Sequence, residues 1–136
     1  MFTRIDHVGV AVPDLDAAIA FYDSTFGLRS VHVETNDQQG IREAMLAVGD
    51  GSTRIQLLYP VSAESAVARF LDRNGPGLHH IAYRVDDIAA ASAQLAASGL
   101  RLLYDAPRRG TAGSLINFVH PKDALGVLVE LVEAAR

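Results

Sequence analysis

Two runs of mostly apolar residues, IDHVGVAV at 5–12 and LHHIAYRV at 78–85, read as strands, and each ends at an acidic break. After each break the hydrophobic spacing changes from strand-like to helical. Leu15, Ile19, Tyr22 and Phe26 fall on one helical face, as do Ile88, Ala91 and Leu95. Asp14 and Asp87 stand where an N-cap carboxylate accepts free amide hydrogens. Gly27 and Gly99 stand where a left-handed residue ends a helix. Three extended segments follow each helix: RSVHVET, REAMLAVG and TRIQLLYP after the first, RLLYDAP, SLINFVH and GVLVELVE after the second. Between them, VSAESAVARFLDRNGPG predicts a short helix closed by a Gly-Pro-Gly turn.

The two halves are copies of one pattern. His7 falls on His80, Val12 on Val85, Asp14 on Asp87, Leu15 on Ile88 and Tyr22 on Leu95. One residue drops out before the shared Gly-Leu-Arg at 27–29 and 99–101. A repeat this long exceeds a solenoid unit. The expected fold is therefore α+β, a single domain over 1–136 built from two pseudo-symmetric βαβββ modules. Module 1 covers about 1–60, a linker about 61–76 and module 2 about 77–136.

Strand alternation then selects chemistry. Neighbouring side chains point to opposite faces, so only one of His79 and His80 can face a common target. The repeat places His80 on His7 and leaves His79 beside Ile81 and Tyr83 as a packing residue. Two further polar residues interrupt apolar strands, Gln56 in RIQLLY and Glu130 in GVLVELVE. An unpartnered buried carboxylate is costly and tends to protonate, which a cation prevents. Gln56 follows His7 by 49 positions and Glu130 follows His80 by 50. Each module thus supplies one nitrogen and one oxygen donor, a set that suits Co, Mn, Ni, Fe or Zn. A lone histidine in an apolar strand is usually a core residue; four donors at repeat-matched positions are harder to explain that way.

Composition narrows the partners. The net charge is −4 and the basic residues are scattered, which argues against nucleic acid. Arg108 and Arg109 read first as a solvated charge pair in a polar turn, with contact to a phosphate-bearing small ligand as the alternative. No apolar run is long enough to span a membrane. The absence of cysteine excludes disulfides, zinc-thiolate sites and a cysteine nucleophile. The opening MFTRIDHVGV lacks a charged-then-apolar leader pattern, so a cytoplasmic protein is expected.

IDHVGVAVPDLDAAIAFY, GLHHIAYRVDD and FVHPKDALGVLVEL together resemble the vicinal oxygen chelate superfamily, and within it the methylmalonyl-CoA epimerases. The resemblance covers nearly the whole chain. It implies sheets forming an open cup around one divalent ion, foremost Co2+, with Mn2+, Ni2+ or Zn2+ as alternatives. The implied ligands are His7, Gln56, His80 and Glu130. The implied reaction is epimerisation at C2 of methylmalonyl-CoA by proton removal and return through a metal-stabilised enolate. Glu43 is the implied catalytic base, with an acyl-CoA substrate and a homodimer. Glu43 lies 13 positions before Gln56, and Asn117 lies 13 before Glu130, so counting matches these two residues. Asn117 and Lys122, the latter in the His-Pro-Lys motif, are the expected substrate contacts. Two other readings stay open: a glyoxalase-type isomerase acting on glutathione hemithioacetals, and a metal-free small-molecule-binding module. Bacterial-type glyoxalase I usually carries an acidic residue where this chain has Gln56.

Overall fold

The computed structural model describes every residue, Met1–Arg136. Its strands and helices follow in the order β1 (Arg4–Ala11), α1 (Leu15–Phe26), β2 (Ser30–Asn36), β3 (Ile41–Ala47), β4 (Arg54–Pro60), α2 (Ala66–Asn74), β5 (Gly77–Arg84), α3 (Ile88–Ala97), β6 (Arg108–Arg109), β7 (Leu115–Val119) and β8 (Val129–Glu133). The fold class is α+β, as the alternating patterns predict. The chain divides into two compact units, His7–His79 and Met1–Asp6 with His80–Arg136. No helix is long and apolar enough to cross a membrane.

In the unit His7–His79 the strands lie in the order β2-β3-β4-β1. β1 runs parallel to β4, while β3 is antiparallel to both β2 and β4. Asp14 starts α1 as expected, its Oδ1 accepting from the Ala17 amide at 3.0 Å. Gly27 ends it with φ +70°, a conformation that costs other residues a steric penalty. Val12, Leu15, Ala44, Leu46 and Leu57 form the core under α1. Phe26 departs from the predicted buried stripe. It is 58% exposed in the last turn, edge-on against Phe21 and Tyr22. The segment between the two βαβββ patterns holds α2, whose Val67, Phe70 and Leu71 pack on Ala11, Ile41 and Leu58. His79 packs edge-on against Phe70, the packing role that alternation assigns it.

In the other unit the order is β5-β8-β7-β6. Asp87 caps α3 through the Ala90 amide at 3.0 Å. Val85, Ile88, Ala91 and Leu131 form the core beneath this helix. The predicted strand RLLYDAP does not form. Leu102 makes one isolated bridge to Val119, and only Arg108 and Arg109, beyond Pro107, pair with β7. The reason is Asn117. Its Oδ1 accepts from the Tyr104 amide at 3.1 Å and its Nδ2 donates to the Tyr104 carbonyl at 3.0 Å. A side-chain amide thus satisfies the backbone groups that a ladder would otherwise pair. Asn117→Leu is expected to lower stability by about 2 kcal/mol, since it strands two polar backbone groups. A reduced urea midpoint would show this. A substrate-binding role would instead raise KM at unchanged stability.

Candidate active site

The faces of the two sheets decide which side chains can meet a ligand. In the unit His7–His79, Ala44, Leu46, Leu57 and Val12 point toward α1. The alternate residues Glu43, Met45, Gln56 and Leu58 therefore point away from it, with His7, Gly9 and Ala11 of β1. Pairing agrees: Gly9 stands beside Gln56, Gln56 opposite Met45 and Leu58 opposite Glu43. His7, Glu43 and Gln56 are 2%, 1% and 4% exposed. Three polar side chains withdrawn from water on one sheet face are expensive to retain without a ligand or one another.

Glu34 is a neighbour that sequence reading missed. It stands directly opposite Glu43 in the β2–β3 pair, so both carboxylates share that face. Its Oε1 lies 2.6 Å from Nε2 of His32. The signal was present in the alternation of VHVET, where His32 and Glu34 fall on one side.

In the other unit, Leu131 and Val85 point toward α3, so His80, Ala82, Glu130, Val132, Ile116 and Phe118 occupy the opposite face. His80 and Glu130 are both buried, and Nε2 of His80 is 2.9 Å from Oε2 of Glu130. Phe118 lies opposite Glu130 and meets the His80 ring edge-on at 5.8 Å between centroids. Further along the face, Arg84 Nε donates to Asp6 Oδ2 at 2.9 Å.

The match of Asn117 to Glu43 by counting fails on register. Gln56 pairs with Met45, and Glu130 pairs with Phe118. Glu43 is two residues before Met45; two before Phe118 is Ile116, not Asn117. Eleven positions separate Met45 from Gln56 and twelve separate Phe118 from Glu130. That extra residue turns Asn117 toward α3, since a shift of one reverses every side chain. Lys122 is exposed in the turn Pro121–Asp123, where its backbone amide donates to His120 Nδ1 at 3.2 Å.

The same turn is tied to Arg101, whose Nε and backbone amide each lie 2.9 Å from Asp123 Oδ2. These bonds, the side-chain one foremost, hold the Asp123 carboxyl at about 2, below its ordinary 3.8. A depressed carboxylate adds stability that is full above the ordinary value and lost as pH falls through the folded one. An NMR titration is expected to place the Asp123 midpoint near 2. In Arg101→Ala it should return toward 3.8, whereas an unmoved midpoint would mean that Arg101 is not the cause.

In one unit Nε2 of His80 and Oε2 of Glu130 form a buried donor pair at 2.9 Å, and in the other His7 and Gln56 are buried donors on one face. Donors about 2.1 Å from a shared first-row ion stand roughly 3 Å apart at adjacent positions and about 4.2 Å apart at opposite ones. An imidazole and a carboxylate 2.9 Å apart, as in His80 and Glu130, fit adjacent positions on a divalent ion.

The family model for the glyoxalase/bleomycin resistance protein/dioxygenase superfamily matches residues 6–118. The chain belongs to this superfamily, and within it falls with the methylmalonyl-CoA epimerases. It is 40% identical over 133 residues to an ethylmalonyl-CoA/methylmalonyl-CoA epimerase of Cereibacter sphaeroides, covering 96% of this chain and 98% of that one. A crystal structure of methylmalonyl-CoA epimerase from Mycobacterium tuberculosis superposes with a TM-score of 0.96 at 53% identity, covering 99% of this chain and 90% of that one. A methylmalonyl-CoA epimerase in complex with methylmalonyl-CoA and NH4+ superposes with a TM-score of 0.96 at 50% identity, covering 99% and 96%.

Proposed function

We propose that this protein interconverts the C2 epimers of methylmalonyl-CoA, using a divalent ion held by His7, Gln56, His80 and Glu130. The observation that carries this reading is the buried His80–Glu130 donor pair at 2.9 Å, in a chain that falls with the epimerases. Gln56, buried beside Gly9 of the His7 strand, is the fourth donor. Co2+ is the proposed ion, on resemblance. When bound, such an ion supplies Lewis-acid stabilisation of negative charge on the thioester oxygen.

The residues divide the remaining work. The C2 proton lies between a thioester and a carboxylate, so its removal leaves a delocalised anion. Glu43, buried on the face that carries His7 and Gln56, serves one side of C2: it removes the proton from one epimer and, in the reverse direction, delivers one. The second face of the planar intermediate needs another proton carrier. Ile116, the register counterpart of Glu43, cannot serve. The apolar surroundings of His80, with Ala82, Phe118 and Val132, exclude water.

The test is solvent exchange. Purified protein in deuterium oxide is expected to place deuterium at C2 of methylmalonyl-CoA, with far slower isomerisation of a glutathione hemithioacetal. No exchange under any divalent metal would defeat the epimerase reading; preference for the hemithioacetal would favour the glyoxalase-type one.

A further inference from the structure

A run of ring contacts leads from His80 to an arginine outside the proposed chemistry. The His80 ring meets Phe118 at 5.8 Å, Phe118 meets Tyr104 at 6.0 Å, and the Arg108 guanidinium lies 3.8 Å from the centre of the Tyr104 ring. The register confirms the direction. Arg108 stands opposite Ile116 in the β6–β7 pair, and directly opposite residues share a face. Arg108 therefore projects from the face that carries His80 and Glu130, while Arg109, opposite Leu115, projects from the other.

Three features set Arg108 apart from a solvated surface charge. First, it makes no ion pair, although the chain carries a net charge of −4. Arg4 and Arg84 share Asp6, and Arg101 holds Asp123. Second, its guanidinium is held against an aromatic ring, which limits its conformational freedom and leaves its N–H edge outward. Third, that ring is fixed from below. Asn117 binds both backbone groups of Tyr104, and Phe118 packs against its side chain. The result is an exposed, oriented and unpaired planar cation, the geometry that recognises phosphate through paired hydrogen bonds.

We propose that Arg108 binds a phosphate group of coenzyme A, anchoring the far end of the substrate while its acyl end lies near His80 and Glu130. Arg108 and His80 lie on one sheet face, so one extended ligand can engage both. The identity of the ligand rests on the epimerase reading; the anchoring does not require turnover.

Calorimetric titration of the protein with coenzyme A, dephospho-coenzyme A and pantetheine tests this. Arg108→Ala is expected to weaken coenzyme A binding about tenfold, in proportion to one lost charged contact. Pantetheine binding should be unchanged. Arg109→Ala makes the same charge change on the opposite face and should leave all three affinities alone. Loss confined to coenzyme A assigns Arg108 to the 3′-phosphate, and equal loss for the dephospho form assigns it to the diphosphate; either outcome supports the anchor. The proposal is overturned if wild-type protein binds no coenzyme A, if Arg108→Ala binds it normally or weakens pantetheine equally, or if Arg109→Ala matches the loss. Binding through Arg108 without C2 exchange would keep this anchor and remove the epimerase reading.

Discussion

Glu43→Gln is expected to fold normally, bind metal normally and exchange the C2 proton about a hundred- to ten-thousand-fold more slowly. The substitution preserves volume in a site where Glu43 is 1% exposed, so no cavity forms. It removes the one property that the proposed role requires, the capacity to accept a proton. The loss should fall in kcat with KM little changed, because a base that acts in the transition state adds little to ground-state binding. Glu43→Ala is a poorer probe, since it empties a buried position and mixes stability with chemistry. Normal turnover in the glutamine variant would remove Glu43 from the mechanism. The carboxylate of Glu34, directly opposite on β2, would then be the next candidate on that face.

Stripping divalent ions with a chelator is expected to abolish C2 exchange, and Co2+ to restore it. The same treatment should appear in stability. An ion at a thousand times its dissociation constant stabilises the folded state by about 4 kcal/mol. For a chain of this size that raises the thermal midpoint by roughly 10–15 °C. His80→Ala should remove most of this response, because it deletes a proposed nitrogen ligand and leaves Glu130 without its partner at 2.9 Å. Equal midpoints with and without metal, together with full exchange in chelator, would leave the donors as a purely structural polar group. The thermal measurement stands apart from turnover, so it separates a lost ion from a damaged base.

Much of this was legible along the chain because it depends on short-range rules. The period change after Asp14 and Asp87, and the caps themselves, follow from local backbone geometry. Alternation sorted His80 from His79 and put His7, Gly9 and Ala11 on one face. The repeat singled out Gln56 and Glu130 as polar residues in apolar strands, and both are buried. His80 and Glu130, paired by that repeat as donors of one module, lie 2.9 Å apart.

Where counting failed, pairing was the cause. The interval from Met45 to Gln56 is one residue shorter than that from Phe118 to Glu130, so equal spacing led to opposite faces. Asn117 then became the partner of the Tyr104 backbone, and the strand expected at RLLYDAP dissolved around it. Neither the position of Glu34 opposite Glu43 nor that of Arg108 on Tyr104 is written in any one segment. The modules, the caps and the kinds of donor atom could be read along the chain, because each depends on a few adjacent residues. Which side chains share a face across strands emerged only on folding, because register is set by the whole hydrogen-bonded pair and a single added residue reverses it.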